Sequence, residues 1–199
     1  MKVTIEIKRL VHDGFLSLET ALIKFQKIDG TMSEPVVREN CWRADSAAAL
    51  VYDLNEKKVI LVRQFRYPVF TVEPEEAWLL ELPAGSITEG EDPKDAVMRE
   101  LLEEVHIDVR REDVRFVGKC FSSPGGTSER IYIYAVECDL SDYDKKIGGV
   151  AEEHEDIQIL LMPFRQVYEE LSNEKIMDAK TILALQWLEK QVNAYVFGV

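Results

Sequence analysis

Residues 85–107 read GSITEGEDPKDAVMRELLEEVHI and place seven carboxylates in 23 positions. The first part is turn-like and the rest is a helix. Asp92 is suited to N-cap it, Pro93 to the first helical position, and Asp95 to the first turn, where the helix dipole favours an acid. At about 100° per residue, Val97, Met98, Leu101, Leu102 and Val105 share one arc of about 140°. Arg99, Glu100, Glu103 and Glu104 fill the other side. The expectation is a helix with one buried half and one acidic half. Like charges four residues apart cost a few tenths of a kcal/mol each, which a solvated acidic face tolerates. The alternative is convergence: carboxylates at i, i+3 and i+4 can meet on a hard divalent cation such as Mg2+ or Mn2+, which prefers oxygen ligands. The turn LPAG just ahead (Leu82–Gly85) offers backbone carbonyls as further, uncharged ligands.

Outward from this helix the pattern is mixed. Upstream, AAALVYD and KKVILVRQF are apolar strands joined through LNEK, then an irregular stretch RYPVFTVEPEEA, then the short strand WLLELPAG. Downstream, VRFVGKCF and RIYIYAVEC read as strands flanking a SSPGGTSE loop, and DIQILLMP as another strand. FRQVYEEL and AKTILALQWLEKQVNAY have helical apolar spacing. Strands and helices mix without a regular βαβ repeat, so the class is α+β. Residues 1–45 form a separate small sheet of VTIEIK, FLSLETALIKF and PVVRENCW, with Asp29-Gly30 as a hairpin signal. So short a segment buries little apolar surface alone and is expected to lean on the remainder, 46–199, or on a second subunit.

The bulk numbers exclude some classes. The chain has 199 residues and a formal charge of −13, which argues against nucleic acid, whose binders are basic. An acidic protein can still bind an anionic small molecule if divalent cations stand between. No apolar run reaches the roughly 18–20 residues of a membrane span, and the N-terminus lacks a signal-peptide pattern. Cys41, Cys120 and Cys138 are scattered, with no CxxC pair, so neither zinc nor a disulfide framework is expected. The simplest setting is a reducing cytoplasm.

Gly85, five residues, Glu91, seven residues and RELLEEVHI resemble the Nudix box, Gly-x5-Glu-x7-Arg-Glu-U-x-Glu-Glu-x-Gly-U with U aliphatic. Eight of its nine fixed positions match, and His106 stands at the last glycine. VRQFRYP, WLLELPAG, SPGGTSER, EEHEDIQ and LALQWL extend the likeness, which is to the ADP-ribose pyrophosphatase and nucleoside-diphosphate-sugar hydrolase branch. The resemblance implies a Nudix α/β/α sandwich with a mixed sheet, preceded by an antiparallel sheet exchanged between two subunits of a homodimer. It implies Mg2+-dependent, or Mn2+-dependent, cleavage of ADP-ribose or a related nucleotide sugar. GDP-mannose and other sugar nucleotides are the alternative substrates. An impaired, nucleotide-sugar-binding dimer is the alternative class.

The resemblance also assigns roles. Glu100, Glu104, Glu155 and the Ala84 carbonyl become metal ligands, with Glu103 beside them as a catalytic acid. Arg99 and Glu91 hold helix and loop together. The general base falls in GGVAEEHEDI, at Glu153, with Glu152 and Glu155 the other candidates in that loop. His154 is read as an exposed loop residue, and Gly148 and Gly149 as the freedom that lets the loop swing. Ser86, Ser123, Gly125 and Glu129 become substrate contacts. Arg43 and Arg66 are the cationic candidates, since a guanidinium binds phosphate through two parallel bonds. Trp78 and Trp187 are read as core. His106 is expected at positive φ, at a cost of about 1 kcal/mol.

Overall fold

The computed structural model describes residues 1–150 and 155–197. The chain divides into two compact units, one of Met1–Asp45 with Cys120–Arg130, the other of Ser46–Lys119 with Ile131–Val199. In the first unit β1 (Val3–His12), β2 (Ser17–Phe25) and β3 (Val36–Trp42) form an antiparallel sheet in that order. The Asp29-Gly30 signal is a real turn. Gly30 lies at φ +85, and Asp29 Oδ1 accepts from the Thr31 N–H at 2.9 Å. The segment Cys120–Arg130 joins this unit through long-range pairing: the Cys41 N–H donates to the Gly126 carbonyl at 2.8 Å.

The second unit is built on an eight-stranded mixed sheet, ordered β10-β11-β5-β4-β9-β8. Its strands are β4 (Ser46–Asp53), β5 (Lys58–Phe65), β6 (Trp78–Glu81), β7 (Ala84–Ser86), β8 (Arg115–Phe121), β9 (Arg130–Glu137), β10 (Ile147–Gly148) and β11 (Ile157–Pro163). β4 runs parallel to β9 and antiparallel to β5. Every residue of β4 is buried, as expected of a strand covered on both faces. Successive side chains point to opposite faces. Ala47, Ala49 and Val51 pack in one cluster with Val97, Leu101 and Val105 of α2 (Pro93–Val105). On the other face Tyr52 meets Trp187 of α4 (Ala179–Phe197) edge-on, ring centroids 6.2 Å apart. Helices on both faces of a mixed sheet make this an α+β sandwich; α3 (Phe164–Ser172) follows β11.

Three local readings change. WLLELPAG is two strands: β6 pairs with β5 and β7 with β4. Between them Pro83 has no N–H to give a ladder, and the Leu82 N–H turns aside to Thr181 Oγ1 at 2.9 Å. The irregular stretch holds a helical turn, α1 (Tyr67–Phe70), and a 3-10 turn at Pro74–Glu76. Trp78 is 48% exposed rather than core, its ring against Phe65 at 5.8 Å.

Candidate active site

Helix α2 starts as its sequence dictates. Asp92 accepts from the Lys94 N–H at 2.9 Å and Pro93 follows. Its buried stripe, however, is rotated from the expected one. Glu100 is 8% and Glu104 2% exposed, while Leu102 is 52% exposed. At about 100° per residue Glu104 lies only about 20° from Val97, so the two acids border the apolar stripe on the side facing β7. There the backbone is the partner. Glu104 Oε2 accepts from the Ala84 N–H at 2.9 Å. A Cβ on Gly85 would stand 1.8 Å from Glu100 Oε1, so the first box glycine lets that carboxylate lie against the chain.

Burial pushes the Glu104 carboxyl up to about 8. The Ala84 N–H opposes this, Glu100 and Glu155 reinforce it, and Arg66 opposes it. Burial likewise raises Glu100, against Arg99 and with help from Glu103 and Glu155. Three carboxylates from α2 and the segment after β10 are thus close enough to repel one another. Among the described residues no three such groups are closed into a ligand cage. The donor set nonetheless fits a hard divalent cation, because it is all oxygen and its buried member resists ionisation until a positive charge joins it.

Arg99 ties the acids to the preceding loop. Its Nη1 donates to Glu100 Oε1 at 2.6 Å and Glu103 Oε2 at 3.0 Å, its Nε to Glu91 Oε1 at 3.2 Å, and its Nη2 to the Ser86 carbonyl at 3.1 Å. Glu91 in turn accepts from the Thr88 N–H at 2.8 Å.

The far end of α2 is fastened to the segment that leads into the acidic loop. His106 adopts the left-handed conformation of the missing glycine, φ 56 and ψ 34. Its ring Nε2 lies 2.9 Å from the Ile147 carbonyl. The Tyr143 hydroxyl donates to the Val105 carbonyl at 2.7 Å, and the Gly149 N–H to the Glu103 carbonyl at 3.2 Å. These bonds satisfy carbonyls that a helix terminus leaves open. A Cβ on Gly148 would stand 1.7 Å from the Glu104 carbonyl oxygen, and Gly149 sits at φ +93. Gly148 therefore allows close docking against α2, and Gly149 takes a backbone conformation that favours glycine. Glu155 accepts from the Val150 N–H at 3.2 Å. Glu152, Glu153 and His154 lie outside the described residues.

The remaining expected site residues divide between the units. Ser86 is exposed at the end of β7, and Arg66 precedes α1. Arg66 donates through Nε and Nη2 to the two oxygens of Glu81, at 2.6 and 3.0 Å. In the first unit Arg43 pairs with Glu129 at 3.4 Å, and the Ser123 carbonyl accepts from the Gly126 and Thr127 N–H groups at 3.0 Å. Gly125 belongs to the same turn, where a Cβ would meet nothing within 4 Å. Glu39, Asn40, Phe121 and this turn line a shallow groove. The sequence reading missed Glu81, Lys180, Thr181 and Tyr143. Lys180 carried a signal, since it sits four residues before the fully buried Ala184, and a charge on an apolar stripe implies a buried partner.

A strand, a glycine turn and a helix whose buried acids meet the backbone of that turn are the structural form of the box, and the NUDIX domain family matches residues 42–185. The chain belongs to the Nudix family. Several relatives of this Nudix chain span almost all of it. The ADP-ribose pyrophosphatase of Escherichia coli strain K12 is 36% identical over 187 residues, 94% of this chain and 88% of that one. The ADP-ribose pyrophosphatase of Haemophilus influenzae is 36% identical over 92% of this chain and 83% of its own length. The GDP-mannose pyrophosphatase of Pectobacterium atrosepticum is 34% identical over 90% of both.

Proposed function

We propose that this Nudix enzyme hydrolyses the diphosphate of ADP-ribose, or of a closely related nucleoside diphosphate sugar, to a nucleoside monophosphate and a sugar phosphate. The observation that carries the reading is the pair of buried acids, Glu100 and Glu104, held against the Ala84–Gly85 backbone. In this reading Glu100, Glu104, Glu155 and the Ala84 carbonyl hold Mg2+, or Mn2+. The bound cation supplies charge neutralisation and polarisation of the diphosphate. Glu153 takes the proton of the attacking water, and Glu103 flanks it as a second catalytic acid. Oxygen from water ends on one phosphorus, and the bridging oxygen leaves with the other. Arg66 and Ser86 contact the substrate, as do Arg43, Ser123, Gly125 and Glu129.

Relatives that act on ADP-ribose are somewhat more similar to this chain than those that act on GDP-mannose, which stays the second substrate. His106 does not favour an impaired site, because it takes up the glycine conformation with Glu100 and Glu104 still buried. Every residue of β1 is exposed, including Val3, Ile5, Ile7, Leu10 and Val11. We infer that a second copy covers this strand in an exchanged homodimer. Among the described residues no helix is long and apolar enough to cross a membrane. A cytoplasmic setting without nucleic-acid partners is part of the proposal.

The test is phosphate-monoester release from ADP-ribose, GDP-mannose, UDP-glucose and NADH, each with Mg2+ and with EDTA. Cleavage of ADP-ribose only with the metal, abolished in Glu104→Gln and Glu153→Gln, is the expected result. Undiminished turnover in Glu104→Gln would overturn the metal assignment.

A further inference from the structure

Behind the site lies a charged cluster that the proposed chemistry does not use. Lys180, on the first turn of α4, is 8% exposed, and Glu81, at the end of β6, is 2% exposed. Lys180 Nζ donates to Glu81 Oε2 at 2.5 Å and pairs with Asp178 Oδ1 at 2.9 Å. Asp178 is held by the Thr181 hydroxyl, at 2.5 Å, and by the Thr181 N–H, at 3.0 Å. That same hydroxyl accepts from the Leu82 N–H. The first turn of α4 thus grips the Glu81–Leu82 backbone that leads into Ala84. Glu81 holds Arg66 by a two-point fork that fixes the plane of the guanidinium. The remaining guanidinium N–H groups of Arg66 make no hydrogen bond among the described residues. Arg66 also lies within electrostatic reach of Glu104.

We propose that Lys180 is a positioning residue for substrate binding: by neutralising Glu81 from behind, it leaves the charge of the Glu81-clamped Arg66 available to the substrate diphosphate. This rests on the reading of Arg66 as a substrate contact. Without Lys180, the Glu81 carboxylate and Arg66 form a closed, self-neutral pair. Arg66 keeps its place and loses its pull on an anion. Asp178 draws on Lys180 from the other side, so removing its charge has the opposite effect. Burial opposes the charges of Lys180 and Arg66, yet their carboxylate partners keep both ionised, as the arrangement requires.

The test uses the full chain. Affinity is measured by calorimetry with Mg2+, using ADP-ribose whose bridging diphosphate oxygen is replaced by methylene so that it resists hydrolysis, and KM and kcat are measured on ADP-ribose with Mg2+, for wild type, Lys180→Met, Lys180→Arg, Arg66→Ala and the Arg66→Ala/Lys180→Met double variant. Expected in Lys180→Met is an affinity lower by about tenfold, with KM raised alike and kcat little changed. Lys180→Arg restores wild-type values, and Lys180→Met has no further effect once Arg66 is alanine. A loss in kcat alone, an equal loss in the Arg66→Ala background, or a wild-type chain that does not bind the methylene analogue overturns the proposal. Binding without hydrolysis would refute the proposed activity and leave this inference standing. If Lys180→Met melts below the assay temperature, Asp178→Asn decides: tighter binding is expected, and weaker binding overturns it.

Discussion

Replacing Glu104 by glutamine tests the buried acid and the cation together. Glutamine keeps an oxygen for the Ala84 N–H and removes the ionisation. In the folded chain burial holds Glu104 at about 8, against 4.5 for an ordinary glutamate. Between these values the unfolded chain has lost the proton and the folded chain retains it. Stability therefore falls as pH rises across this window, by about 1.4 kcal/mol per pH unit, and levels off above it. The difference of 3.5 units sets a ceiling of about 5 kcal/mol, or a drop in Tm of roughly 10–15 °C, for a chain of this size. Glu100 is shifted in the same direction. Glu81, Glu91 and Asp53 are shifted down, so their stabilisation is complete above the ordinary carboxylate range and flat across this window. A divalent cation that needs the ionised form must displace the proton, so its stabilising increment grows with pH. The assay is thermal melting from pH 5 to 8.5, in EDTA and in Mg2+. Wild type should lose Tm with pH in EDTA and recover most of it with Mg2+ at the alkaline end. Glu104→Gln should show a much weaker slope and little Mg2+ increment. Identical slopes in both proteins, or an Mg2+ increment independent of pH, would refute the reasoning.

Other substitutions probe the surrounding scaffold. Arg99→Lys leaves one ammonium where a fork served Glu91, Glu100, Glu103 and Ser86; turnover should fall at least about tenfold because the acids lose their alignment, as steady-state assays would reveal. Gly148→Ala drives a methyl into the Glu104 carbonyl, which neither helix nor strand can move aside; urea unfolding should show a loss of about 3 kcal/mol or more. His106→Gly relieves a left-handed residue and removes its bond to Ile147, two effects of about 1 kcal/mol and opposite sign. Stability should hardly change, while the Gly149 amide, bonded to Glu103, should exchange its hydrogen faster.

Much of the second unit was legible because its signals are local. The capped start of α2 and the apolar runs of β4 and β5 each carry their own pattern. The box spacing brought Glu100 and Glu104 to one site, and the likeness brought the sandwich. What escaped was set by distant partners. The acidic face was expected to oppose the apolar one, yet the turn backbone of β7 buries Glu100 and Glu104 beside it. Nothing near Gly148 in the sequence announces the Glu104 carbonyl that it packs against. Lys180 signals a buried partner by its place on the apolar stripe of α4, but that partner, Glu81, is 99 residues away. The allegiance of Cys120–Arg130 to the first unit depends on strand β3, far upstream.

That allegiance matters for anyone who would cut or graft this protein. The backbone passes between the two units three times, at 45–46, 119–120 and 130–131. A fragment beginning at Ser46 is therefore no clean excision. It would carry the Cys120–Arg130 segment while stripping Cys41, Arg43 and Asp45 from Gly126, Glu129 and Arg130. The N-terminal strands and the SPGGTSER turn form one exchangeable module written in two places along the gene. A chimera that borrows one without the other inherits half a fold.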